Sequence, residues 1–201
     1  MSLNRKINRQ KGFSLIEFAI VSLIMGMLTT VMLANFRTGE KSKRVQLAAD
    51  ALVNTSRLAQ SYSLSGKQIP NTAIVQSGTR CANGDTTAAF YRIMFTAPGS
   101  NIDIIAEDKC AATFLIERYT LPPFTRVATN GITLVTCNPA CPTSSTPGTL
   151  RIQFSPPFAR MTASSGGAYQ TFTYATFRLE SNDGARTKTV RIDGVSGRID
   201  Y

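Results

Sequence analysis

Twenty-four residues from Phe13 to Phe36 carry one charge, Glu17, and no other stretch restricts the folding of this chain more. A helix rises ~1.5 Å per residue, so the run spans about 36 Å. That suffices for a hydrocarbon core of roughly 30 Å. A leader with Arg5, Lys6, Arg9 and Lys11 precedes it. The run therefore predicts a membrane-inserted helix behind a positive tail. Glu17 sits awkwardly there: a carboxylate at the centre of a membrane helix costs on the order of 2.5–3.5 kcal/mol, and less near an end. Two readings are open. Glu17 is either tolerated at headgroup level beside a helix N-terminus, where the dipole favours an anion, or a functional group with a partner to be found.

Lys11-Gly12 followed by Phe13-Ser14-Leu15-Ile16-Glu17 resembles the prepilin processing site of type IV pilins and type II secretion pseudopilins. The resemblance combines a basic leader, a glycine–aromatic junction, a glutamate at fixed spacing and a long apolar helix, and it covers about residues 5–65. It implies that residues 1–12 are a leader and that a prepilin peptidase cuts the Gly12–Phe13 bond on the cytoplasmic face. It further implies that Phe13 is then N-methylated and that Glu17 neutralises the N-terminal amine of a neighbouring subunit during assembly. Residues 13–36 become a transmembrane and later filament-core helix. The implied location is the bacterial inner membrane, in a single pass with the head outside the cytoplasm, and then a pilus or pseudopilus. The implied partners are other pilin or pseudopilin subunits, the peptidase, an inner-membrane assembly platform and membrane lipid. Many major pilins carry a proline in the apolar half of this helix, and this chain has none there. Gly26 and Gly39 are its weak points, each ~0.8–1.0 kcal/mol less favourable than alanine in a helix interior.

Charge and composition narrow the remaining classes. The 201 residues carry a net +10, and without the four leader cations 18 Lys+Arg face 12 Asp+Glu, or +6 from side chains. That is moderately basic, not the density of a dedicated nucleic-acid arm. The absence of histidine excludes Ser/His/Asp and Cys/His catalysis and removes the commonest transition-metal ligand. An ordinary secretory signal has an uncharged apolar core of roughly 7–15 residues and a small-x-small cleavage site. Here the run is longer, Glu17 interrupts it, and Met32-Leu33-Ala34 makes a poor site. Arg37, Lys41, Lys43 and Arg44 follow the span, so both flanks are basic and charge alone does not orient it.

Residues 37–65 continue the helix as an amphipathic segment. Val45, Ala48, Leu52, Ala59 and Tyr62 recur at three- and four-residue steps with one gap, Ala51 and Leu58 widen the stripe, and Gly66 offers a C-terminal cap before Pro70. Residues 66–201 then form a β-rich head. Runs at Ala88–Phe95, Ile102–Ile105, Thr113–Leu121, Ile132–Thr136, Leu150–Phe154, Thr171–Leu179, Lys188–Ile192 and Val195–Ile199 are β-branched or aromatic and bounded by Gly, Pro or Asn. One long helix with seven or eight short strands predicts an α+β fold, the helix packed on antiparallel sheets. Residues 138–148 and 163–168 read as surface loops.

The C-terminus resembles, more loosely, the GspH/FimT group of minor pilins and pseudopilins through Ser196-Gly197-Arg198-Ile199. Some members of that group bind DNA through arginines near this end. Arg186, Lys188, Arg191 and Arg198 are the matching candidates, diluted by Asp193 and Asp200. Phosphate binding needs a contiguous basic surface and single strands want aromatic stacking, for which Tyr201 is at hand. Solvated charge is the plainer reading. Four cysteines, Cys81, Cys110, Cys137 and Cys141, lie in the part expected outside the cytoplasm, where disulfides persist. Three pairings exist, and the one joining sequence neighbours is Cys81–Cys110 with Cys137–Cys141. A four-thiolate zinc site is the alternative, although only Cys137 and Cys141 have the usual close spacing. No cofactor or metal is expected, and no enzyme constellation emerges: Glu107-Asp108 reads as a solvated pair and Ser164-Ser165-Gly166-Gly167 as a turn.

Overall fold

The computed structural model describes residues 14–81, 86–136 and 143–201. The chain divides into two units, one ending at Glu40 and one spanning Lys41–Tyr201. Helix α1, Leu15–Ser65, contributes to both. In the first unit its apolar side chains point outward all round. Leu15–Leu33 is long and apolar enough to cross a membrane, and none of it is buried within the chain. A helix that is apolar on every side needs cover on every side. Two threonine hydroxyls in this stretch are satisfied by the helix itself: Thr29 Oγ1 donates to the Met25 carbonyl at 2.7 Å and Thr30 Oγ1 to that of Met27 at 2.8 Å.

In the second unit α1 is amphipathic. Val45, Ala48, Ala49, Leu52, Val53 and Ala59 are buried, and Leu58 and Tyr62 pack at the margin of the core. The gap in the apolar repeat between Leu52 and Ala59 is filled by Ser56, which is fully buried and donates its hydroxyl to the Leu52 carbonyl at 2.8 Å. A small hydroxyl satisfied by its own helix leaves the buried stripe continuous without an orphaned polar group. The helix closes at Gly66, whose φ of +61° suits glycine, and the Lys67 amide bonds back to the Tyr62 carbonyl at 3.1 Å. This is a Schellman closure.

Eleven strands follow among the described residues: β1 Ile74–Ser77, β2 Ala88–Thr96, β3 Asn101–Asp108, β4 Thr113–Thr120, β5 Thr125–Thr136, β6 Thr143–Ser145, β7 Thr149–Ser155, β8 Arg160–Ser164, β9 Tyr174–Ser181, β10 Thr187–Asp193 and β11 Ile199–Asp200. They form a six-stranded sheet in the order β1-β4-β3-β2-β7-β8 and a five-stranded sheet in the order β11-β10-β9-β5-β6. Every pairing is antiparallel. Alternating residues such as Tyr91, Ile93 and Phe95 on β2, and Phe177 and Leu179 on β9, turn into one core with the helix. Phe95 and Phe177 join the two sheets with ring centroids 4.3 Å apart. Tyr62 from the helix meets Tyr91 at 5.9 Å and donates to Glu117 on β4 at 3.2 Å. The fold is α+β, a helix packed on antiparallel sheets.

The boundaries differ from the sequence reading in physically simple ways. β5 starts at Thr125, seven residues before the expected run, because Asn130 adopts φ +54° and shifts the register against β9 without ending the ladder. Val195 to Gly197 form a turn rather than a strand: the Asp193 carboxylate accepts the amides of Val195 and Ser196 at 3.0 and 2.8 Å. Thr143–Ser145, expected within a loop, pairs with Leu134–Thr136.

Candidate functional site

The described chain begins where the helix begins, and its start is fastened by Glu17. The Ser14 amide donates to Glu17 Oε2 at 2.9 Å and the Glu17 amide donates to Ser14 Oγ at 3.2 Å. This reciprocal capping box satisfies two amides that no helical carbonyl reaches. Its signal, Ser-x-x-Glu ahead of an apolar run, stands in the sequence as Ser14-Leu15-Ile16-Glu17; reading Glu17 only as an anomaly misses Ser14. The box turns the carboxylate back toward the N-terminal end of the helix. One carboxylate oxygen takes the Ser14 amide, leaving lone pairs on the other for a further donor. Gly12 and Phe13, the expected cleavage junction and methylation position, lie outside the described residues.

The four candidate cations of the C-terminus do not form one patch. Arg186 is exposed in the turn between β9 and β10, its amide held by Ser181 Oγ at 3.1 Å. Arg191 lies five residues further on, about 16 Å along an extended strand. Lys188 points to the helix, bonds Gln46 there and sits 4.3 Å from the centroid of the Tyr201 ring. Arg191 is on the opposite, outward face of β10, 4.1 Å from the centroid of Tyr174. It pairs across the ladder with Asp200, to which Arg198 bonds through Nε at 2.8 Å. Arg191 and Arg198 therefore share a face, yet Asp193 and Asp200 stand among them. Amide hydrogen bonds, first from Ser196 and then from Val195, hold the Asp193 carboxyl below its ordinary range against the opposing effect of burial, so its charge persists.

Cys81 and Cys110 form a disulfide with Cα atoms 5.4 Å apart; Cys137 and Cys141 lie outside the described residues. Buried Asp108 fastens the bridge. Its carboxylate accepts the amides of Cys81 at 3.2 Å, Cys110 at 2.9 Å and Ala112 at 2.9 Å. The ligand atoms of Cys81, Asp108 and Cys110 fall within 4.8 Å of one another, but with both sulfurs consumed in the bond this group is a disulfide and its clamp. The acids Glu107 and Asp108 part company as strand neighbours must. Glu107 turns outward to Arg92 at 2.5 Å, so it is paired rather than merely solvated, and Asp108 turns inward.

An exposed apolar helix that starts on its own capped glutamate thus precedes an α+β head. Residues 7–33 match the family model of the prokaryotic N-terminal methylation motif. The chain thus carries a prepilin-type N-terminal motif over these residues, similar to the N-terminus of type IV pilins and pseudopilins. The motif implies processing by prepilin peptidase and assembly with other such subunits. Comparison with curated proteins and with solved structures finds no match.

Proposed function

We propose that this chain is a minor subunit of a type IV pilus or type II secretion pseudopilus, cleaved between Gly12 and Phe13, methylated on Phe13 and assembled through its helix. The observation that carries this reading is the bare apolar surface of Leu15–Leu33, none of it buried by the chain's own residues. Lipid covers such a surface before assembly and neighbouring helices cover it afterwards, each buried leucine-sized side chain contributing on the order of 1.5–3 kcal/mol relative to water. Between those two apolar environments the apolar side chains discriminate little. A charge pair within the helix bundle supplies selectivity instead: Glu17 accepts the N-terminal amine of the next subunit, which offsets the desolvation of both groups. Minor status draws its support from the C-terminal likeness, where Gly197 adopts φ +72° in the turn ahead of Arg198 and Ile199. The head stays outside the cytoplasm, where the Cys81–Cys110 bridge is stable.

The rival reading is DNA binding through Arg186, Lys188, Arg191 and Arg198. Less supports it, because Lys188 is engaged with the helix and Arg191 and Arg198 share their face with two acids. The test is Glu17→Ala expressed in the native host: the variant is cleaved normally and remains in the membrane, but is absent from sheared filaments. Incorporation at the wild-type level would remove the proposed role of Glu17. A salt-sensitive gel shift that Arg191→Ala with Arg198→Ala abolishes would favour the rival.

A further inference from the structure

Away from the N-terminal motif, a cleft of about 360 Å³ opens on the outward face of the six-stranded sheet. Strand alternation builds it. Arg92 and Met94 on β2 turn away from the core that Tyr91, Ile93 and Phe95 fill. Ile105 stands opposite Arg92 on β3, and Arg151 stands opposite Met94 on β7. Gln76 and Ser77 of β1 and Thr113 of β4 complete the lining. Among the described residues, the polar groups that line it are two guanidiniums, an amide and two hydroxyls, all able to donate, and no carboxylate. Met94 and Ile105 give it an apolar floor.

The two arginines are not equivalent. Arg92 is pinned: Nε donates to Gln153 at 3.0 Å, Nη1 meets Glu107 at 2.5 Å, and the guanidinium lies 4.8 Å from the centroid of Tyr169. Its charge is answered by Glu107. Arg151 is exposed and forms no ion pair with an acid among the described residues. The cleft thus holds one uncompensated fork-shaped cation beside fixed donors, the arrangement that recognises a carboxylate bidentately. β1 ends its sheet, so its second edge offers backbone amides and carbonyls to an extended chain.

We propose that this cleft binds an acidic peptide segment, with a glutamate or aspartate carboxylate on Arg151, donation from Ser77 and Thr113, and the methylenes of the acidic residue on Met94 and Ile105. The edge strand β1, with one strand partner among the described residues, favours peptide over phosphate. The test uses the mature full-length chain in detergent and a fluorescently labelled hexaglutamate peptide, read by anisotropy. Saturable, salt-sensitive binding is expected, weakened at least tenfold by Arg151→Ala, partly restored by Arg151→Lys and unchanged by Arg198→Ala. Circular dichroism of Arg151→Ala is expected to match wild type, since the side chain is exposed. Absence of saturable binding, or equal binding by folded Arg151→Ala, overturns the proposal. So does displacement of the peptide by a thymidine oligonucleotide at lower concentration than by unlabelled hexaglutamate, which would assign the cleft to phosphate.

Discussion

Replacing Asp108 by alanine removes a carboxylate that is 2 % exposed and accepts three backbone amides. Two of the donors, on Cys81 and Ala112, belong to buried residues; Cys110 is exposed and its amide can turn to water. Each buried donor left without a partner costs about 1–3 kcal/mol. Against this stands the desolvation that the buried carboxylate no longer suffers, so a net loss of about 3 kcal/mol is expected. For a domain of this size that is a fall in Tm of roughly 6–12 °C, at about 2–4 °C per kcal/mol. Asp108→Asn keeps one acceptor oxygen and should lose about half as much. Thermal unfolding of the oxidised full-length chain, followed by circular dichroism, measures both. The disulfide stays closed in each variant, so the loss reports on the clamp alone. A change below about 1 kcal/mol for Asp108→Ala would refute the view that these amides depend on the carboxylate.

Other consequences follow from the same contacts. Ser14→Ala removes the acceptor for the Glu17 amide; with a cap worth ~1 kcal/mol, hydrogen exchange at that amide should accelerate about fivefold, and unchanged exchange would mean the box does not form. A methyl group at Gly194 would overlap the Phe172 carbonyl oxygen and lie 2.8 Å from its ring, so Gly194→Ala should destabilise the head by more than 1 kcal/mol in the same melting assay. Burial, then Tyr62, pushes the Tyr91 hydroxyl up to about 12, while the hydrogen bond to Glu117 pushes Tyr119 up to about 12. Both pKa values exceed the unfolded value near 10, so their contribution is complete below pH ~10 and disappears as pH rises toward 12. Phenolate absorbance should show both ionising late, and Tyr119→Phe should remove one of the late steps. Lys41, helped by Ser181 and the Ala185 amide, holds the Asp183 carboxyl well below its usual range; Lys41→Ala should move its titration back upward by NMR, and an unmoved titration would deny the ion pair.

What the sequence disclosed depended on how local each cause was. The apolar run and the Gly66 closure are local, and both can be read directly from residue order. So can the Ser14–Glu17 box, although attention to the charge of Glu17 hides its backbone role. The central strands, such as β2 and β10, announce themselves by alternation and flanking turns. β8 is short and mixed in character, and β1 has four exposed residues, so neither has a periodic signature; pairing with β7 and β4 makes them strands. Ser56 broke the expected apolar stripe because a buried serine is polar by composition and satisfied only through its own helix. Asp108 looked like half of a solvated acid pair, since the amides that bury it are non-local only in part: Cys81 lies 27 residues away. Which cations share a face could not be known before the register set Arg191 opposite Asp200.

Intact mass and N-terminal sequencing of the mature chain, purified from its native membrane, test the central claim most directly. The account predicts a chain that begins at N-methylated Phe13, with the Cys81–Cys110 bond closed. A chain that begins at Ser2, or one cut after Ala34, would contradict the assignment of the helix as a prepilin segment.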